Sequence, residues 1–298
     1  MEKGTKILII ILSIIIILAG TIIAYKIFSA KDGAIDLSDN SVADTNVTEE
    51  ENTVLEVPLK TVQIYKGKER PIAVMIDNNK SALPHGGVNN AYMVYEIIVE
   101  GGESRLMALF KGKDLEKIGP VRSARHYFLD YALENDAIYV HFGWSPQAES
   151  DISSLSVNNI NGISESSTSF WRVKDKSAPH NVATSTEQIL KIAKQKEYKT
   201  TSTKESVLNY VTEEVELKDG ISAEKITIPY SYYNEVEYVY DSETKTYQRY
   251  SRGIKAEDWS TGENITTKNI IITFAKNTTL YDGENKDRKI GDYIALLD

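Results

Sequence analysis

Cysteine is absent from the 298-residue chain. That excludes disulfides, thiolate metal sites, cysteine nucleophiles and lipid attachment at an N-terminal cysteine. Histidine is nearly as scarce. His85, His126, His141 and His180 are the four, and no two stand three or four residues apart, so no zinc site preformed on a helix is expected. Neither a Walker A loop nor a G-x-G-x-x-G fingerprint occurs, and no cofactor is expected. A basic surplus is missing too. With 34 Lys and Arg against 43 Asp and Glu, the chain lacks the charge that nucleic-acid binding relies on. Stability then rests on a core, which a chain of this length buries without disulfides.

Apolar residues, by contrast, crowd the start. "ILIIILSIIIILAGTIIAY", residues 7–25, runs 19 residues without a charge. As a helix it is about 28 Å long, close to the hydrocarbon thickness of a bilayer. Lys3 and Lys6 precede it, favouring residues 1–6 inside the cell and the folded part outside, although Lys26 and Lys31 weaken the asymmetry. A cleaved signal peptide has a shorter apolar region and an A-x-A site, which does not follow here. The expectation is one transmembrane helix, a single-pass anchor in the cell membrane. Residues 26–57 then read as a tether, with eight acids against two lysines and no apolar periodicity. Such a stretch buries too little to offset its ordering entropy. It holds −6 of the overall −9, so the acidic balance is not that of a binding face.

From residue 58 two regions differ in grammar. Residues 58–212 mix strands and helices: "RPIAVMIDN" is a buried-strand run, and "AYMVYEIIVEGGESRLMALF" reads as a hairpin turning at Gly101-Gly102. A helix is expected from Ser123 to about Glu134, a strand at "AIYVHFG", and a helix opening on a capping box at Thr184 or Ser185. Residues 213–298 alternate as strands. The fold class is α+β: a mixed α/β N-terminal domain and a smaller β-rich C-terminal one.

Four constellations carry polar chemistry. A two-residue turn at Gly101-Gly102 pairs Glu100 with Glu103 and puts Glu96, Glu100, Glu103 and Arg105 on one hairpin face. Glu100 and Glu103 are then a candidate acid/base pair, with a solvated face and a cross-strand ion pair as the plainer alternative. Next, "GPVRSARH" sets Arg122, Arg125 and His126 around a helix start capped by Ser123, where an anion is welcome. Internal pairing to Glu96, Glu100 or Asp77 is the alternative. The third, "HFGWSPQ", places His141, Ser145 and Gln147 at a strand-to-helix turn, but lacks the G-x-S-x-G of a nucleophile elbow. In the fourth, "APHN", His180 and Asn181 precede a helix.

"RPIAVMIDN", "VYEIIVEGGESRLMALF", "IGPVRSARHYFLDYA", "DAIYVHFGWSPQA" and "APHNVATS", in this order, closely resemble the YerB-like family of bacterial lipoproteins, a domain family of unknown function. The likeness runs over residues 58–298. It implies a Gram-positive cell-envelope protein with the two-part fold above. This chain departs from the family's frequent lipidated cysteine, and the family's C-terminal region extends some tens of residues past position 298. The resemblance carries no activity. The leading reading is a polar cleft binding an anionic cell-wall polymer or peptidoglycan. A glycan-cleaving enzyme using Glu100 or Glu103 and an envelope scaffold are the alternatives.

Overall fold

A computed structural model describes residues 67–211, 220–280, 288–290 and 293–297. The expected anchor and tether, residues 7–25 and 26–57, lie outside the described residues. Among the described residues no helix is long and apolar enough to cross a membrane. The chain divides into two units, Met1–Val57 and Pro58–Asp298, and every described residue belongs to the second.

Its centre is β1 (Ile72–Asp77), whose six residues are all buried. A continuous apolar run with no polar alternation suits a strand covered on both faces. β1 pairs antiparallel with β3 (Ser104–Phe110) and parallel with β4 (Ile138–His141). β2 (Met93–Ile98) flanks β3, and β5 (Asn159–Asn161) extends the sheet beyond β4. A short ribbon, β6 (Trp171–Arg172) with β7 (Val182–Ala183), leads towards the helix of residues 186–195. The C-terminal region forms β8 (Lys225–Ser231), β9 (Asn234–Asp241), β10 (Thr246–Ser251), β11 (Ile254–Lys255) and β12 (Thr266–Thr267), a second sheet. It then returns: β13 (Asn269–Thr273) pairs with β16 (Tyr293–Leu297), which lies against β2, while β14 (Thr278–Leu280) and β15 (Arg288–Ile290) pair separately. The seven-stranded sheet therefore runs β13-β16-β2-β3-β1-β4-β5 and takes strands from both regions.

Alternate residues of β1–β3 feed two cores. Ile72, Val74, Ile76, Leu106 and Phe110 meet Val236 and Tyr238 of the second sheet on one face. Ala73, Met75, Ile97, Met107 and Leu109 meet Phe128, Leu129 and Ile152 on the other. Each fully buried Leu, Ile or Met contributes about 1.5–3 kcal/mol. The helices over that second face are α1 (Leu129–Glu134) and α2 (Pro146–Ser154), while α3 is Thr186–Gln195. Ser145 caps α2, accepting from the Ala148 N–H at 3.1 Å, and Ser185 caps α3, accepting from that of Gln188.

The helix expected from Ser123 begins later. Residues 119–125 are extended because they complete the sheet: Asp77 N–H donates to the Pro120 carbonyl and Arg122 N–H to that of Met75, both at 2.8 Å. A 3-10 turn (His126–Phe128) and then the six-residue α1 follow. Ser123 is not an N-cap. Its hydroxyl donates to the Phe142 carbonyl instead; Arg122 stands on extended chain, and Arg125 immediately precedes the 3-10 turn without capping it through its side chain.

Candidate functional site

Hairpin register decides which acids face what. Ile98 lies opposite Ser104, Ile97 opposite Arg105 and Glu96 opposite Leu106. The connection is a 3-10 turn, Glu100–Gly102, with Gly101 and Gly102 both at positive φ, so the expected two-residue loop is corrected. One residue of slip exchanges the faces of a strand. Glu96 and Arg105 consequently point to opposite sides of the sheet.

On the side of the second sheet, Glu96 is fully buried. It accepts from Asn78 Nδ2 at 2.9 Å, Ser104 Oγ at 2.7 Å and Arg249 Nη1 at 2.8 Å. Arg249 is 1% exposed and also donates to the Tyr238 hydroxyl at 2.5 Å. This sealed pair has no opening to a ligand, so Glu96 leaves the set of cleft residues. Glu103 leaves the acid/base pair as well: Arg252 grips its carboxylate, and Asn79 Nδ2 donates to it at 3.0 Å. Burial raises the Glu103 carboxyl above its ordinary value, with Arg252 opposing and Asp77 adding.

The other side gathers the arginines. Arg125 clamps Glu100 through Nε at 2.5 Å and Nη2 at 2.9 Å, a two-point fork of the stronger kind. Burial alone raises the Glu100 carboxyl, but this clamp, with Arg105 beyond it, brings it down to about 2. Glu100 is therefore an anchored carboxylate and not a proton donor. Arg122 Nε lies 3.3 Å from Asp77 Oδ2, and His180 Nδ1 lies 2.7 Å from the same oxygen. Arg105 is 6% exposed, and Nη1 donates to the Ser123 carbonyl at 2.6 Å. No carboxylate contacts it among the described residues. Burial and the charge of Arg125 lower its value to about 10, against the pull of Glu100 and Asp77. Asp77 and Glu100 offset two of the three guanidinium charges. One positive charge is left over.

The remaining candidates are structural. His141 is fully buried, with Nδ1 donating to the Gly143 carbonyl at 2.8 Å, and burial lowers it to about 4. Ser145 is the α2 cap. Gln147 sits two residues beyond and donates to Asp151 at 2.7 Å. His126 packs its ring edge-on against Tyr127. Asn181 accepts from Arg172 at 2.6 Å and donates to the Val173 and Lys176 carbonyls, which stitches the loop that presents His180. Of the predicted residues, the structure brings Glu100, Arg105, Arg122, Ser123, Arg125 and His180 together around Asp77. Asp77 was among the internal partners expected for the arginines; its contact with His180 and the long-range partners Arg249 and Arg252 escaped sequence reasoning.

Solvent reaches this cluster at Arg122 and His180, whose side chains are 28% and 21% exposed. Two grooves lie elsewhere. One of about 870 Å³ is lined by Arg70, Ile72, Phe110 and Tyr198 at the start of β1. The other, about 730 Å³, runs along β5 past Trp144. Among the described residues no three His, Asp or Glu side chains are grouped to hold a metal.

A two-sheet α+β unit of this kind has counterparts. Residues 59–199 match the N-terminal domain, and residues 226–294 the C-terminal domain, of the family described as "Protein of unknown function (DUF3048)". The chain belongs to this family. Among its relatives is "Putative lipoprotein YerB" of Bacillus subtilis (strain 168), 34% identical over 232 residues, 77% of this chain and 69% of the relative. The crystal structure of the YerB protein from Bacillus subtilis is similar with a TM-score of 0.63 and 31% identity, covering 74% of each chain.

Proposed function

We propose that the chain is a membrane-anchored protein of the outer cell envelope whose arginine cluster binds an oxyanion, the phosphate or carboxylate of a cell-wall polymer. One observation carries this reading: Arg105 is buried while no carboxylate contacts it. Burying a cation with a backbone carbonyl but no carboxylate against it is costly, and an external anion drawn to the cluster lowers that cost. The Nη atoms of Arg122 make no hydrogen bond among the described residues and remain available to such a ligand. The relative named as a lipoprotein supports the location, and the charge-free run of residues 7–25 supplies an anchor in place of a lipid. The hairpin-glutamate enzyme is not favoured, because Arg125 and Arg252 occupy both carboxylates.

Calorimetric titration of the full chain with inorganic phosphate, then with purified teichoic acid and peptidoglycan, tests the proposal. Arg122→Ala is expected to weaken binding at least tenfold, about 1.4 kcal/mol, with unchanged circular dichroism. Equal affinity in the folded variant refutes it.

A further inference from the structure

The anion seat shares its carboxylate with a histidine, and the geometry of that contact goes beyond binding. His180 Nδ1 meets Asp77 Oδ2 at 2.7 Å. Asp77 is held in turn: its Oδ1 accepts from the Asn79 N–H at 3.1 Å, and only 6% of its side chain is exposed. An imidazole that donates Nδ1–H to a fixed carboxylate keeps its Nε2 lone pair outward, the orientation of a general base. Nε2 has no partner among the described residues. The loop behind it is stitched by Asn181 and by the His180 N–H donating to the Ser177 carbonyl at 2.9 Å. A merely structural histidine, such as His141, is buried with Nδ1 tied to backbone. His180 instead stands at the solvent-facing mouth of the cluster.

Arg122 and His180 reach the same oxygen of Asp77, so the two side chains are neighbours and a ligand held by Arg122 is within range of the imidazole. A carboxylate in that place is a poor electrophile. A phosphodiester is different, since its anionic group is itself the centre that reacts. We infer that Asp77 and His180 form a proton-transfer dyad which hydrolyses a phosphodiester seated on Arg122 and Arg105. His180 Nε2 takes a proton from water as the water oxygen bonds to phosphorus. The P–O bond to the leaving alcohol breaks on the opposite side of phosphorus, that oxygen takes a proton from solvent water, and the imidazolium gives its proton back to solvent. The products are a phosphomonoester and an alcohol, with no change of oxidation state. Arg122 and Arg105 stabilise the charge on the non-bridging oxygens. This inference rests on the anion-binding reading for its substrate and adds the base.

The test incubates the full chain with bis(p-nitrophenyl) phosphate and measures p-nitrophenol, alongside calorimetry with inorganic phosphate on the same preparation. The wild type is expected to release p-nitrophenol, and His180→Gln and Asp77→Asn to do so about 100-fold more slowly, the lower range for general acid–base catalysis. His180→Gln changes a solvent-facing side chain and keeps the comparison sound if the buried Asp77 variant fails to fold. Equal release by wild type and folded His180→Gln overturns the dyad. Phosphate bound without diester cleavage also overturns it and leaves the anion seat standing. Cleavage by a chain that binds no phosphate, with the histidine dependence intact, overturns the seat and keeps the dyad. Cleavage of p-nitrophenyl acetate but not of the diester overturns the substrate class.

Discussion

Arg249→Met leaves Glu96 charged beneath two sheets with only Asn78 and Ser104 to solvate it. In the native protein Arg249 Nη1 and Nη2 lie 2.8 and 3.3 Å from the two Glu96 oxygens, and both side chains are at most 2% exposed. The low dielectric that strengthens their attraction also makes either charge alone expensive to bury. Breaking such a pair from one side costs about 3–5 kcal/mol. For a folded unit of this size each kcal/mol lowers Tm by about 2–4 °C, so Arg249→Met is expected to melt about 6–20 °C lower. Glu96→Gln strands the cation instead and falls in the same range. The double variant removes both charges, and methionine fills part of the arginine's volume. It is expected to be less destabilised than the sum of the singles by at least about 1 kcal/mol, the signature of direct coupling. Urea denaturation at neutral pH, followed by fluorescence and circular dichroism, measures all three. Single variants costing under about 1 kcal/mol, or strictly additive costs, refute the buried-pair reasoning.

Glu100 predicts an acid limb. Its folded-state value of about 2 lies below the ordinary 4.5. Its stabilisation is therefore complete above the ordinary value and is lost as pH falls from about 4.5 through about 2. The stability gap between wild type and Glu100→Gln is expected to be constant above pH ~5 and to shrink through that window; a gap that widens on acidification contradicts the clamp. Ser145→Ala removes the α2 cap and is expected to cost about 1 kcal/mol in denaturant titration, with no effect on phosphate binding.

Much of the fold was legible because its signals are local. The unbroken apolar run of residues 71–76 marks a doubly covered strand, and Ser145-Pro146 and Ser185 with Gln188 mark helix starts. The hairpin register was not legible. Two adjacent glycines announce a turn but not its length, and one residue of slip separated Glu96 from Arg105. Residues 123–125 begin a stretch with helical spacing, yet tertiary pairing of Asp77 and Met75 with residues 120–122 holds them extended. The arginine cluster was visible as residue types, since guanidinium groups next to turns are conspicuous. Glu100 and Asp77 were legible as candidate partners, but the longest contacts were not: His180 reaches Asp77 across 103 positions and Arg249 reaches Glu96 across 153. No periodicity encodes such contacts.

Those long contacts also explain why the C-terminal sheet matters to a site it does not line. Arg249 ends in Glu96, and three residues on Arg252 takes Glu103 while donating to the Asn78 carbonyl at 3.0 Å. Asn234 Nδ2 donates to the Gly102 carbonyl at 3.2 Å. The second sheet thus grips the β2–β3 hairpin on the strand, at the turn and at the residue following β1. Glu100 sits inside that grip, and through Arg125 it sets the charge around Arg105. Gly102 shows how close the fit is: a Cβ there would lie 2.8 Å from Ser231 Cβ, nearer than side-chain carbons approach, and its φ of +74° already disfavours any side chain. Of the hairpin acids that look like an acid/base pair in the sequence, Glu103 is an attachment point of this buttress, while Arg125 holds Glu100. In the proposed dyad the proton-transfer chemistry falls to His180, whose side chain is part-exposed.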